Sequence, residues 1–360
     1  MIRRSSAARI GAMLLVTSAL GASLAAAAGE LPYRVLHQIP LSGAAPVQAL
    51  AYGPGGKHLY AAAGAEVLSF QAATGASEAV VKVPGQVAGL AASPDGGGTL
   101  YVAVRAPARL FFLGLNPLRV RSSVPIRGGA PSALLYEPAE HALYVESRSG
   151  RTVARLDSAD GKTVAVTRLQ GDLEQMTGDG RGTVYVANAA SDAIDVLASG
   201  NMKSLGAIPT PDCRAPTGLD LDPVGRRLFV ACSNGTALII DTDMGFAFEQ
   251  LAVQKATGLR TLFAFHPNGP AGWKGGAFIA GAGPALDAIR MNAFISYTAA
   301  GSMPLPGRAT ALAASPAAGQ LSIALAPRDG AAAHAASAAD EPRQQAGMQI
   351  LVLGSSGGAQ

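Results

Sequence analysis

One pattern recurs seven times along this chain, and its spacing decides what the chain can fold into. An apolar run leads into a proline–glycine turn. A second apolar run follows, usually with an aromatic residue near its start. The first units read VQALAYGPGGKHLYAAAG from Val47, VAGLAASPDGGGTLYVAV from Val87 and PSALLYEPAEHALYVES from Pro131. The next are LEQMTGDGRGTVYVANAASDAIDVL from Leu173 and PTGLDLDPVGRRLFVACSNGTALIIDTD from Pro216. A stretched unit starts at Leu259, and a seventh, RATALAASPAAGQLSIALAP, starts at Arg308. The landmark residues of the second run are Tyr60, Tyr101, Tyr144, Tyr185, Phe229 and Phe278, with Ser322 in the seventh unit. Their steps are 41, 43, 41, 44, 49 and 44 residues. A period in the forties built from several short strands predicts propeller blades. Helical repeats of similar period are excluded, because Gly and Pro recur too often and the apolar runs are too short.

The chain is therefore expected to be all-β: a seven-bladed propeller of four-stranded antiparallel blades. The last unit supplies a strand over Thr310–Ala314, a second over Leu321–Leu325 and a third over Met348–Leu353, and then the chain ends. The segment YRVLHQIPL from Tyr33 resembles the fourth strands of other units. Residues 33–41 are expected to complete the last blade, which closes the ring and removes a sheet edge. Residues 328–347 carry no periodicity and read as a low-complexity loop within that blade. The charged fraction is only 14%, which suits sheets buried on both faces.

Upstream of the repeats, Arg3, Arg4 and Arg9 precede an apolar stretch from Ile10 to about Leu24. Four alanines then precede Gly29. A charged head, apolar middle and small-residue cleavage site predict a secretory signal over residues 1–28. No cysteine near the cut would carry a lipid anchor, and no later run is long enough to span a membrane. Residues 29–360 are then one exported domain, in the periplasm or secreted, expected to be a monomer. Removing the signal changes the charge from +4 to (28 − 3) − 24 = +1. Overall basicity therefore gives no footprint for nucleic acid, and local clusters remain.

Units four and five, TVYVANAASDAIDVL and GRRLFVACSNGTALIIDTD, resemble the YVTN repeat, and the arrangement is similar to exported YncE-type propeller proteins of bacteria. The resemblance covers about residues 33–355. It implies a periplasmic seven-bladed propeller. Members of that group have been linked to nucleic-acid binding, cell-surface roles and quinoprotein oxidation systems. Units one and two depart from the motif, with AAAG and VAVR in place of YVAN.

Few residues point to catalysis. No CxxCH occurs, which excludes covalent haem, and no EF-hand-like loop occurs. His37, His58, His141, His266 and His334 are scattered too widely to hold one metal. A single Trp, Trp273, argues against a quinoprotein dehydrogenase. A lactonase-like hydrolase needs carboxylates and a His at the channel mouth; Asp172 and Glu174 are the acidic candidates and lack a His partner. No catalytic residue, metal or cofactor is predicted. Cys213 and Cys232 flank one hairpin, and export permits their oxidation. A disulfide is favoured over two buried thiols.

The remaining candidates come from position. In a propeller, the loops entering each blade (d–a) and the loops joining second and third strands (b–c) share one face. The d–a loops supply Arg127, Arg214, Arg260 and Arg308, and the b–c loops supply Arg105, Arg148, Asn188 and Asn234. Guanidinium forks on one face suit a small anionic ligand or an acidic protein partner. The plainer alternative is loop arginines paired with Glu146, Asp172 or Glu174. The leading expectation is a non-enzymatic binding or scaffold propeller. A periplasmic hydrolase or oxidation-system accessory is the second, and a nucleic-acid binder the third.

Overall fold

The structure is a computed structural model that describes residues 31, 33–41, 45–93, 98–253, 260–263, 275–281, 283, 285–293, 295–315, 319–327 and 347–355. The expected secretory segment over residues 1–28, residues 328–346 of the low-complexity stretch, Trp273, His266 and His334 lie outside the described residues.

The described residues form seven four-stranded antiparallel sheets. In six of them the strands, a to d, follow chain order from the inside outward. The exception is the seventh, whose order is Tyr33–Leu41, Met348–Ser355, Gln320–Ala326, Arg308–Ser315. The N-terminal strand is thus strand d of blade 7, pairing Tyr33 with Ser355 and Leu41 with Met348. Innermost strands of successive blades touch in sequence, and strand a of blade 7 touches strand a of blade 1, so the ring closes. The hairpin turns are short. Pro54–Gly56 and Pro138–Glu140 form single 3-10 turns, with Gly55 at φ +67° where a side chain would be strained. No helix among the described residues is long and apolar enough to cross a membrane.

The core lies between blades rather than inside one layer. Each of seven apolar clusters joins one neighbouring pair of blades. Alternation along a strand explains the continuous apolar runs. In Thr99–Val104, Leu100 and Val102 pack toward blade 1, whereas Tyr101 and Ala103 pack toward blade 3. Both parities face an interface, so both must be apolar.

The aromatic landmark has a fixed role in this scheme. Tyr60, Tyr101, Tyr144, Tyr185, Phe229 and Phe278 all pack into the interface with the following blade. Blade 7 has Ser322 instead, fully buried. Tyr52 of blade 1 fills that interface from the opposite side, its hydroxyl 2.6 Å from the Ser322 hydroxyl. Burial pushes the Tyr52 phenol up to about 12, against the small lowering by Ser322.

Candidate functional site

Strand register fixes which loops share a face. The start of strand a pairs with the end of strand b in successive blades, as in Val47 with Ala63, Leu173 with Asn188 and Pro216 with Cys232. The d–a and b–c loops therefore lie together at one end of each blade. The structure places the predicted residues in quite different surroundings.

Arg105 and Arg148 share a cleft. It has a volume of about 440 Å³ and is lined by Arg105, Pro131, Ser132, Arg148, Glu174 and Gln175, among others. Ser132, Ala133 and Gln175 also line a central channel cavity of about 170 Å³ between the innermost strands. The cleft thus opens onto the channel mouth between blades 2, 3 and 4. Arg105 is exposed at its rim.

Arg148 is held across two blades. Its Nε donates to the Leu173 carbonyl at 2.8 Å and its Nη2 donates to Glu174 Oε2 at 2.9 Å. The Nε also lies 3.8 Å from Glu146 Oε1. Glu146 is fully buried and accepts from the Ser132 hydroxyl at 2.7 Å. About half of the Arg148 side chain remains exposed. The cleft therefore already shows a guanidinium holding a carboxylate, with a second exposed arginine across the opening.

The two asparagines are braces. Asn188 is buried, and its Nδ2 donates to the Gln170 carbonyl at 2.6 Å and to Asp195 Oδ2 at 2.9 Å. Burial raises the Asp195 carboxyl above its usual range, and the Asn188 bond opposes that rise. Asn234 Nδ2 donates to the Asp212 carbonyl at 2.8 Å, and its Oδ1 accepts from the Arg214 backbone at 3.3 Å. Both side chains hold the incoming d–a loop and do not reach outward to a ligand.

The other arginines are dispersed. Arg214 and Arg308 are exposed beside strands a of blades 5 and 7. Arg260 starts strand a of blade 6, opposite Ala280, and its side chain lies outside the described residues. Arg127 lines a lateral cavity between blades 2 and 3 instead of the mouth. Among the described side chains, the predicted arginines thus give one two-arginine cleft, with Arg127, Arg214 and Arg308 outside it. Loop position alone carried no information on side-chain direction.

Cys213 and Cys232 form a disulfide, with their Cα atoms 5.3 Å apart and both side chains fully buried. It ties the d–a loop of blade 5 to the end of strand b.

The opposite end of the ring gathers acidic turn residues. Burial raises the Glu137 carboxyl, and Glu140 and Asp179 add to that rise. Their oxygens are used internally. Glu140 accepts from the Tyr144 hydroxyl at 2.6 Å, the Ser199 hydroxyl at 2.8 Å and the Gly182 backbone at 3.1 Å. Asp179 Oδ1 caps its own turn through Arg181 and Thr183. His58 bonds Glu78 at 2.8 Å on the surface of blade 1. Among the described residues no group of three or more His, Cys, Asp or Glu is placed to hold a metal ion.

Comparison with solved structures agrees on architecture. The chain is similar to the WD40 repeats of RRP9, with a TM-score of 0.69 and 14% identity over 89% of this chain and 97% of that one. It is equally similar to U3-55K, with a TM-score of 0.69 and 14% identity over 89% and 98% of the two chains. This chain is a seven-bladed β-propeller. At such identity the likeness carries the fold alone. No protein-family profile and no curated protein matches the sequence.

Proposed function

We propose that this propeller is an exported binding or scaffold protein that docks a carboxylate-bearing ligand or protein partner in the channel-mouth cleft. The observation that carries this reading is the pairing of Arg148 with Glu174 beside the exposed Arg105 in one cleft. An incoming carboxylate takes Arg105 first, and displaces Glu174 from Arg148 if it offers better geometry. A planar two-donor fork favours carboxylates over neutral partners. Propellers commonly serve as rigid binding platforms, and function must be argued from the site rather than from the fold. Residues 1–28 support export, and the YVTN-like units support membership among exported bacterial propellers.

Arg105→Glu is the informative variant, because Arg148 also braces two blades and its loss would perturb folding. Wild-type protein cross-linked in a periplasmic extract should capture a partner that the Arg105→Glu variant fails to capture, with the same melting temperature. Equal capture by both would sink the cleft as the docking site. Cell fractionation of the full chain should find a periplasmic form beginning near Gly29. A cytoplasmic, full-length product would remove the export part of the reading.

A further inference from the structure

The lateral cavity that Arg127 lines belongs to a different surface from the mouth. Strand d of blade 3 (Thr163–Arg168) is the outer edge of its sheet. It alternates, with Val164, Val166 and Arg168 exposed and the residues between them half-buried. Val164 and Val166 are 53% and 44% exposed, whereas the outer strands of blades 1 and 2 expose one valine each, Val80 and Val120. Their direction follows from register. Val166 pairs with Ala154, and Ala154 packs in the cluster with Tyr101 and Phe112 of blade 2. The side of the strand carrying Val164, Val166 and Arg168 is thus turned toward blade 2. The d–a loop meets it there, since a Cβ on Gly128 would sit 3.2 Å from Val166 Cγ1.

The far end is closed by the turn Asp160–Lys162. Gly161, at φ +71°, presses against blade 2, where an added Cβ would lie 2.6 Å from Val124 Cγ2. Between these points lies a cavity of about 300 Å³ lined by Val124, Pro125, Arg127, Asp160 and Lys162, among others. Arg127 and Arg168 stand at one end and Lys162 at the other. None of the three makes an ion pair among the described residues. Asp160 Oδ1 already accepts from the Lys162 backbone at 2.8 Å. The surface is an aliphatic strip with a cation at each end, beside an unpaired strand edge. From Lys162 to Arg168 the strand spans about 20 Å at ~3.3 Å per residue.

We propose that this edge docks an acidic, aliphatic peptide segment of a partner protein, which adds to blade 3 as a fifth strand. Backbone pairing with the free edge supplies the geometry. Alternate aliphatic side chains continue the face of Val164 and Val166, and flanking carboxylates meet Arg127, Arg168 and Lys162. Charge complementarity selects an acidic segment over a basic one. This surface is separate from the cleft of Arg105 and Arg148, so either can fail alone.

The test uses the full folded chain and a fluorescent peptide with alternating valine and threonine flanked by two Glu at each end. Its counterpart carries Lys in place of Glu. Fluorescence anisotropy should show saturable binding of the Glu peptide that weakens with salt, and none of the Lys peptide. Val166→Glu combined with Arg168→Glu should weaken binding by about tenfold or more, whereas Lys82→Glu, at an exposed lysine on blade 1, should leave it within about twofold. If the double variant fails to fold, Val166→Ser with Arg168→Ser takes its place and should also lose binding. The proposal is overturned if the wild type binds neither peptide, if it binds both equally, or if folded edge variants bind like the wild type. Loss on Arg105→Glu with binding retained by the edge variants would assign the peptide to the mouth and overturn it too.

Discussion

Opening the Cys213–Cys232 bridge should cost this protein a measurable part of its stability. The bridge joins residues 19 apart in sequence. In the chain-entropy account, closing a loop of about 20 residues removes about 11 cal/mol/K from the unfolded chain, or about 3 kcal/mol at 25 °C. Both sulfurs are buried, so replacing the cysteines also changes packing, and the crosslink is best isolated by reduction. With a denaturant slope of about 3 kcal/mol/M, full reduction should lower the urea midpoint by about 1 M. The Cys213→Ala/Cys232→Ala variant should start lower and show no response to reductant. The assay is urea denaturation followed by far-UV circular dichroism, with and without a phosphine reductant, and thiol titration confirms reduction. A wild type whose midpoint does not move when both thiols are demonstrably free would refute the entropic argument. A double variant that still responds to reductant would show that the effect belongs to something else.

Other parts of the fold make equally direct predictions. A chain beginning at Val47 lacks strand d of blade 7 and leaves Met348–Ser355 as an open edge; it should aggregate on size-exclusion chromatography, and a peptide of residues 33–41 should restore the monomer. Gly89→Val should destabilise by about 1–3 kcal/mol, read as a lower melting temperature, because a Cβ there would meet the Leu134 backbone N and Cβ at 2.7 Å. Asn188→Ala should cost about 1–3 kcal/mol by leaving buried acceptors unpaired, whereas Arg105→Glu should be neutral by the same melt. Burial pushes Tyr60 and Tyr297, like Tyr52, up to about 12. The folded state holds these protons more tightly than the unfolded chain, so their contribution is complete below about pH 10 and is lost as pH rises toward about 12. Phenolate absorbance should therefore rise together with loss of the dichroism signal; ionisation at ordinary pH in an intact fold would contradict the buried placement.

How far the sequence reaches in such a chain depends on how often a signal is repeated. Blade number, strand order and ring closure rest on seven copies of one pattern, and a single ambiguous copy does not disturb them. The side chains of the mouth occur once each, and their directions depend on neighbours distant in sequence. Arg148 turns toward Leu173 and Glu174 of the next blade, and Arg127 turns toward the c–d turn of its neighbour. Neither turn is visible in the spacing of loops. The segment Thr163–Arg168 alternates in sequence, but the exposure of its valines follows from the open edge of blade 3 and not from that pattern.

The positions where the repeats differ from one another are the most instructive. Three residues after the aromatic landmark, blade 4 has Asn188 and blade 5 has Cys232. Asn188 ties the end of strand b to the Gln170 carbonyl of the incoming loop, and Cys232 ties it to Cys213 of the corresponding loop. One joint is made by a hydrogen bond in one blade and by a covalent bond in the next. Ser322 follows the same logic from the opposite direction, because the missing ring is supplied across the interface by Tyr52. Restoring the motif at this position should therefore harm the protein. Ser322→Tyr places two rings in space built for one and should destabilise by about 1–3 kcal/mol or more. Combining it with Tyr52→Ala should recover much of that loss, since the partner ring is then gone, and the coupling of the pair is read from a double-mutant cycle. Additive losses in that cycle would mean that the two residues do not share the interface, and the account of blade 7 would fall.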